Sequence, residues 1–276
     1  AEDGIRDRSP SRGLGDVYKR QAARDPEYVA AAVGAVQQAD IAVLYVPGIA
    51  TLADLEACQD AGARTVRVAV HCTEADCGRQ PITWARERGM TVMTFLMMSH
   101  KLEPGPLAEQ ARLLDSYGAQ VVYVVDSAGA LVPQSAAERV RALGEVVSGE
   151  VGFHAHNNLG LGVGNALAAA DAGARYIDGS LRGLGAGAGN AATEVLAAAF
   201  DRAGWVTGVD LFALIDTAEQ VVAPLMAGPQ VIDETALMIG YAGVYSTFFH
   251  FAKRAAAKYG VPVKQIILEL GRRGII

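Results

Sequence analysis

Residues 150–158 read Glu-Val-Gly-Phe-His-Ala-His-Asn-Asn. The stretch begins as a short apolar run, which is typical of a buried strand. Side chains alternate between the two faces of a strand, so Gly152, His154 and His156 are predicted to share one face. Two imidazoles on one face near a strand end can bind one metal ion; two buried, hydrogen-bonded histidines are the structural alternative. We favour the metal site, with His154 and His156 as its ligands.

On both sides of this stretch, strand patterns alternate with helix patterns. Predicted strands cover residues 41–47, 65–72, 91–98, 120–126, 151–156 and 175–181. Predicted helices cover residues 26–38, 51–61, 79–88, 105–117, 134–147, 159–172 and 190–203. This alternation predicts parallel strands joined by right-handed crossovers.

The positions of polar residues distinguish between a doubly wound sheet and a barrel. Polar side chains follow nearly every predicted strand, and a barrel collects its functional groups at one rim from several strands, whereas a doubly wound sheet concentrates them at one crevice. They are His71 to Glu74, Ser99-His100, Asp126-Ser127, His154 to Asn158 and Arg182. We therefore predict an α/β fold, a (β/α)8 TIM barrel. Only six strands are recognised, so we expect the first two strands of the barrel to be lacking.

The two ends of the chain differ from the barrel pattern. Residues 1–21 are polar without an apolar period, so we expect disorder, and non-native linker sequence is one interpretation. Residues 22–207 are predicted to form the partial barrel. In residues 208–276, apolar side chains recur every three or four positions. Helices are predicted there over residues 211–225, 234–258 with interruptions near Gly240 and Gly243, and 262–272.

Composition argues against nucleic-acid binding and membrane association. The net charge of −6 argues against nucleic-acid binding, which requires a basic face. The sequence contains neither an apolar run of membrane-spanning length nor a signal-peptide pattern, so no membrane association is expected. The three cysteines lack CxxC spacing and are interpreted as reduced thiols, which predicts a cytoplasmic location.

Other candidate site residues allow two interpretations each. Asp126 could be a third metal ligand or could orient a histidine through a hydrogen bond. Ser127 could bind a substrate carboxylate or cap its turn. Residues 183–190 are rich in glycine and could bind an anion, although a tight turn is slightly favoured. Tyr245 could lie in a helix contact or act as a proton donor. Because no lysine lies within a predicted strand, Schiff-base catalysis is disfavoured.

Seven segments of the chain carry a family resemblance. They are residues 44–48, 67–76, 95–100, 123–129, 152–156, 183–190 and 240–246. Together they resemble the 4-hydroxy-2-oxovalerate aldolases, which are metal-dependent class II pyruvate aldolases. The strings His-Cys-Thr-Glu-Ala-Asp, Met-Met-Ser-His and Gly-Tyr-Ala-Gly-Val-Tyr-Ser are the most specific to this family.

The resemblance implies a reaction, a cofactor and a partner. The reaction is retro-aldol cleavage of 4-hydroxy-2-oxopentanoate, a small 2-oxo acid, to pyruvate and acetaldehyde, with Mn²⁺ as the favoured metal. His154 and His156 match the metal ligands, with His154 also contacting the substrate. Ser127 matches a substrate-binding serine, and Tyr245 matches a catalytic and substrate-binding tyrosine. An acylating acetaldehyde dehydrogenase is implied as a partner docked on residues 208–276.

One family motif is not recognised in this chain. In the family the first strand ends in Arg-Asp-Gly, which supplies an arginine for the transition state and an aspartate for the metal. Here Arg6-Asp7 is not preceded by an apolar strand. We therefore expect a truncated chain with weak or no activity. Two alternatives remain: an acyl-CoA-condensing synthase of the isopropylmalate synthase type, and a non-catalytic partner of an acetaldehyde dehydrogenase.

Overall fold

The structure is a computed structural model that describes residues 23–245 and 248–274. The prediction for residues 1–21 therefore lies outside the described residues. The described part contains one parallel sheet whose strands pair in chain order. These strands are β1 (Ala42–Tyr45), β2 (Thr65–His71), β3 (Thr91–Met97), β4 (Val121–Asp126), β5 (Glu150–Ala155) and β6 (Tyr176–Ile177). A doubly wound sheet would reverse its strand order at a switch point, so the sequential order is that of a barrel.

A helix connects each strand to the next. The helices of this part are α1 (Asp25–Ala35), α2 (Leu52–Asp60), α3 (Arg79–Glu87), α4 (Pro104–Ser116), α5 (Pro133–Gly144), α6 (Gly162–Asp171) and α7 (Thr193–Arg202). Their starts follow from local chemistry. Thr51 and Asp54 form a reciprocal capping box at α2, and α4 and α5 begin at prolines, whose missing N–H groups would be unpaired there in any case. The predicted α/β barrel architecture is confirmed.

Alternation along the strands separates two layers of side chains. Val68, Leu96, Val124 and Phe153 face the helices and are fully buried in the main core cluster. The opposite face of β3 and β4 carries a smaller cluster that includes Phe95 and Tyr123, whose rings stack with centroids 4.4 Å apart. His154 belongs to this second, inner face, since its neighbour Phe153 lies in the main core.

The two outer strands are shorter than predicted. β1 covers Ala42–Tyr45 instead of residues 41–47, and β6 covers Tyr176–Ile177 instead of residues 175–181. Among the described residues each pairs with one neighbour, so its recorded ladder lies on a single side. The side chains of β1 are also partly exposed to solvent, and Leu44 is 62% exposed.

Residues 208–274 are helical where the structure describes them. Their helices are α8 (Leu211–Thr217), α9 (Glu234–Ala242), α10 (Phe248–Tyr259) and α11 (Val263–Arg272). The predicted helix over residues 211–225 leaves α geometry after Thr217, passing through a π-turn and a 3-10 turn at Pro224, which has no N–H to donate. Among the described helices, none combines the length and apolar character that crossing a membrane would need.

Candidate metal centre

His154 and His156 lie side by side at the end of β5. The centroids of the two rings are 5.3 Å apart and the ring planes are inclined at 62°. His154 is the penultimate residue of β5, and His156 is the first residue after the strand ends. The alternation of the strand therefore brings the two imidazoles together on the inner face, as the sequence predicts.

Asp178 fixes the orientation of His154. Nδ1 of His154 donates a hydrogen bond of 2.8 Å to Oδ2 of Asp178, which lies just beyond β6. The same carboxylate oxygen forms an ion pair with Arg67 of β2. Burial alone would raise the pKa of Asp178, but the hydrogen bond from His154 and the charges of His154 and Arg67 lower it. Since a carboxylate only accepts, the proton of His154 lies on Nδ1 and its Nε2 is left for another ligand.

His156 is half-buried and holds a neutral ring. Burial and the nearby His154 together lower its pKa to about 4, although the backbone oxygen of Ala186 opposes the shift. Its Nδ1 is buried and has no hydrogen-bond partner among the described residues. A buried nitrogen without a partner costs free energy unless a ligand satisfies it.

Asp126 does not orient either histidine, and that interpretation is wrong. Its carboxylate is fully buried and accepts hydrogen bonds from the backbone N–H groups of Ala130, at 2.8 Å, and Leu131, at 3.0 Å. Burial raises its pKa to about 6, although both hydrogen bonds oppose the rise. Asp126 therefore holds the loop after β4, while Asp178 makes the contact with His154.

Ser127 and Tyr245 lie in different surroundings. The Ser127 hydroxyl accepts a 2.9 Å hydrogen bond from the backbone N–H of Met98, which links the ends of β3 and β4. This bond crosses to the neighbouring strand end and does not cap the turn of Ser127 itself. Tyr245 is half-buried and packs against the main core cluster. It follows α9, where a Cβ at Gly240 would lie 3.0 Å from the backbone oxygen of Gly129 and 2.9 Å from Leu159. The C-terminal helices thus lie against the loops that follow β4 and β5.

The glycine-rich stretch over residues 183–190 is a tight turn beside a cavity. Gly189 has a φ of +85°, and a Cβ there would lie 2.0 Å from the backbone oxygen of Gly183, so only glycine fits. The adjacent cavity measures about 380 Å³, and its polar lining includes Asn157, Arg182 and Gln230. The favoured interpretation, a closely packed turn, is supported.

Known proteins identify the family. Residues 20–221 match the HMGL-like family, and residues 230–276 match the DmpG-like communication domain. A Rhodococcus opacus protein named 4-hydroxy-2-oxovalerate aldolase 4 is 73% identical over 259 residues, covering 94% of this chain and 75% of its own length. This chain belongs to the 4-hydroxy-2-oxovalerate aldolase family. The chain is therefore an aldolase, a lyase.

Further relatives agree with this assignment. A Nocardia farcinica 4-hydroxy-2-oxovalerate aldolase 2 is 74% identical, with the alignment covering 94% of this chain and 75% of that protein. The solved structure of Rhizobium etli pyruvate carboxylase has a TM-score of 0.79 at 18% identity, covering 94% of this chain and 25% of the carboxylase. At that identity the likeness concerns the fold alone.

The donor set of this aldolase fits two positions of a metal site. Imidazole nitrogen is a common ligand for divalent transition metals, and both rings present a nitrogen that the fold does not use. Within residues 23–245 and 248–274, no group of three His, Cys, Asp or Glu side chains lies close enough together to hold a metal ion. Among the described residues, the two histidines could therefore offer two ligands but not a full set.

Sequence reasoning missed Arg67 and Asp178. A signal for Asp178 is present, because an acidic residue in the predicted strand over residues 175–181 is unusual beside apolar neighbours. The carboxyl ends of adjacent parallel strands share one rim, so this aspartate could have been considered alongside Asp126.

Proposed function

We propose that this aldolase cleaves 4-hydroxy-2-oxopentanoate to pyruvate and acetaldehyde, with Mn²⁺ as its cofactor. The observation that carries the proposal is the pair of adjacent imidazoles at the end of β5, with His156 held neutral by burial. Supporting it, the relatives that are 73% and 74% identical carry the name of this reaction. A carbon–carbon cleavage next to a 2-oxo group requires stabilisation of an enolate, which is the chemistry such a site suits.

His154 and His156 would hold the cation. When bound, a divalent cation polarises the 2-oxo group of the substrate and stabilises negative charge on the enolate. Asp178 holds the Nδ1 proton of His154, so the imidazole presents Nε2 and cannot rotate freely. Burial keeps His156 unprotonated at neutral pH, which a metal ligand requires.

Two further residues are assigned to the substrate. The C4 hydroxyl gives its proton to solvent water as the C3–C4 bond breaks and acetaldehyde leaves. C3 of the enolate then takes up a proton to give pyruvate, and solvent water returns a proton to the group that donated it. We assign the phenol of Tyr245 as the proton donor at the rim. Ser127 is assigned to the substrate carboxylate because it lies at the end of β4, the strand that pairs with β5.

The proposed reaction is tested by following pyruvate release from 4-hydroxy-2-oxopentanoate. We expect a rate that requires Mn²⁺, is abolished by a chelator, and is lost in the His154→Ala variant. The exposed His250, replaced by alanine, is the matched control and should retain the rate. If neither this chain nor a version carrying the family's Arg-Asp-Gly strand releases pyruvate faster than His154→Ala, the assignment fails. Acetyl-CoA consumption with a 2-oxo acid would instead indicate the synthase alternative.

We further propose that the C-terminal helices dock an acylating acetaldehyde dehydrogenase. The match to a communication domain over residues 230–276 supports this, as does exposed apolar surface on α9. There Leu237 and Tyr241, one helical turn apart, are 47% and 71% exposed.

Charge placed on this face of α9 should prevent docking. We expect the Leu237→Asp/Tyr241→Asp double variant to lose co-elution with the dehydrogenase in size-exclusion chromatography, because a charge buried in an interface is costly. Val206→Asp is the control, since Val206 is 97% exposed but lies outside the communication domain. Equal co-elution of both variants would contradict docking on α9.

A further inference from the structure

His100 connects the barrel to the C-terminal helices. Its Nε2 lies 3.1 Å from the backbone oxygen of Gly243, which is 143 residues away in the chain. A carbonyl oxygen only accepts, so Nε2 carries the proton and donates it to this bond. Burial lowers the pKa of His100 to about 4, and the carbonyl of Gly243 opposes the shift. The ring is therefore neutral near pH 7, and the hydrogen bond does not depend on a charge.

The turn that carries His100 is held from several sides. Met98 precedes it in the left-handed region, with φ of 60°, and its N–H donates to the hydroxyl of Ser127 at 2.9 Å. The guanidinium of Arg139 donates to the backbone oxygen of Ser99 at 3.2 Å. These contacts fix the backbone on which the imidazole stands, because a left-handed non-glycine residue persists only when its surroundings impose it.

The accepting side of the bond is equally constrained. Gly243 ends α9 in the left-handed conformation, with φ of 61° and ψ of 40°. A Cβ at Gly243 would lie 3.3 Å from two atoms of the His100 ring, so the imidazole packs directly on this backbone. One turn earlier, Gly240 lies against the loops that follow β4 and β5. The end of α9 is thus held between the rim loops and His100.

Tyr245 lies only two residues after Gly243, the residue that His100 contacts. We propose that His100 is a positioning residue, whose hydrogen bond to Gly243 sets the backbone from which Tyr245 places its phenol at the barrel rim. The inference rests on the proposed function, in which Tyr245 donates a proton. The Met-Met-Ser-His turn would thus help to position the proton donor of the reaction. His100 itself touches neither substrate nor metal in this scheme.

The position of the phenol is tested without measuring activity. A single 3-fluorotyrosine is incorporated at position 245 in the full chain, and its ¹⁹F resonance is recorded. In His100→Leu, which removes the donor, we expect the resonance to move toward that of the free amino acid. In His100→Gln, whose amide N–H can still donate, we expect the resonance of the unsubstituted chain. His250→Leu, on the exposed side of α10, is the matched control.

A second perturbation covers the case in which His100→Leu fails to fold. Gly243→Ala retains the imidazole but places a methyl group 3.3 Å from the ring in a left-handed conformation, and should also shift the resonance. An unshifted signal in folded His100→Leu, or equal shifts in the Leu and Gln variants, would overturn the positioning role. If His100→Leu does not fold, an unshifted signal in Gly243→Ala has the same meaning.

Kinetics separate this role from a general loss of stability. We expect His100→Leu to lower kcat by roughly 10- to 100-fold with little change in KM, since a small misplacement of a reacting group has effects of this order. Combined with Tyr245→Phe, it should cost no more than Tyr245→Phe alone, because both changes act through one phenol. Additive losses would overturn the positioning role. Inactivity of both this chain and a version carrying the family's Arg-Asp-Gly strand would overturn the proposed function, while the fluorine spectra would still decide the positioning role.

Discussion

Replacing His154 or His156 by alanine should weaken Mn²⁺ binding by about 100-fold or more, since even residues that merely support a ligand contribute 10- to 100-fold. In the proposed site each ring would supply one nitrogen, and the ring centroids lie 5.3 Å apart. The double variant should show no specific binding. The free Mn²⁺ concentration, read from its six-line electron paramagnetic resonance spectrum during titration, measures this directly.

Substituting Asp178 should weaken Mn²⁺ binding less than substituting either histidine in the same titration. Asp178→Asn retains an oxygen that can accept from His154 but removes the charge paired with Arg67. We expect a loss of about 10-fold, which is the usual scale for such supporting contacts. His250→Ala should bind as the unsubstituted chain does. Unchanged affinity in both single histidine variants would eliminate the site at β5.

Replacing Gly152 by alanine should destabilise the fold by about 3 kcal/mol, the upper end of what overpacking usually costs. Gly152 shares the inner face of β5 with His154, and a Cβ there would lie 2.6 Å from the ring of Tyr123. That ring is stacked on Phe95, over which the guanidinium of Arg67 lies at 4.2 Å. Displacing Tyr123 therefore disturbs both the inner cluster and the ion pair that reaches Asp178. The urea unfolding midpoint measures the loss.

Gly164→Ala is the matched control for this substitution. Gly164 lies inside α6, and a Cβ there has no heavy atom within 4 Å. Alanine should stabilise that helix by up to about 1 kcal/mol because it restricts the unfolded chain and favours helical geometry. If Gly152→Ala has the same midpoint as Gly164→Ala, then Tyr123 moves aside at no cost and the packing argument is wrong.

The barrel architecture and the histidine pair could be predicted because both depend on local periodicity. Strand and helix patterns alternate throughout, and the two-residue period of a strand puts His154 and His156 on one face whatever surrounds them. The central strands agree closely with their predicted ranges, since they are paired on both sides. The outer strands β1 and β6 were predicted too long, because their length depends on neighbours rather than on composition.

The contacts of the site could not be predicted, because they depend on tertiary geometry. Asp126 ends β4 and Asp178 follows β6, the two strands adjacent to β5, and composition does not say which carboxylate faces His154. Local hydrogen bonding decides this. The backbone N–H groups of Ala130 and Leu131 donate to Asp126, and Asp178 accepts from His154. The bond between His100 and Gly243 has no sequence signal at all, since it joins positions 143 residues apart.

The close fit of Gly240 against Gly129 and Leu159 has a consequence for recombining relatives of this protein. The two matched families meet between residues 221 and 230, which suggests a convenient crossover point for chimaeras. A hybrid joined there would combine one parent's α9 with the other parent's rim loops, and methyl-sized differences at these contacts would not be accommodated. Successful exchange requires the loops after β4 and β5, together with His100, to come from the parent that donates the C-terminal helices.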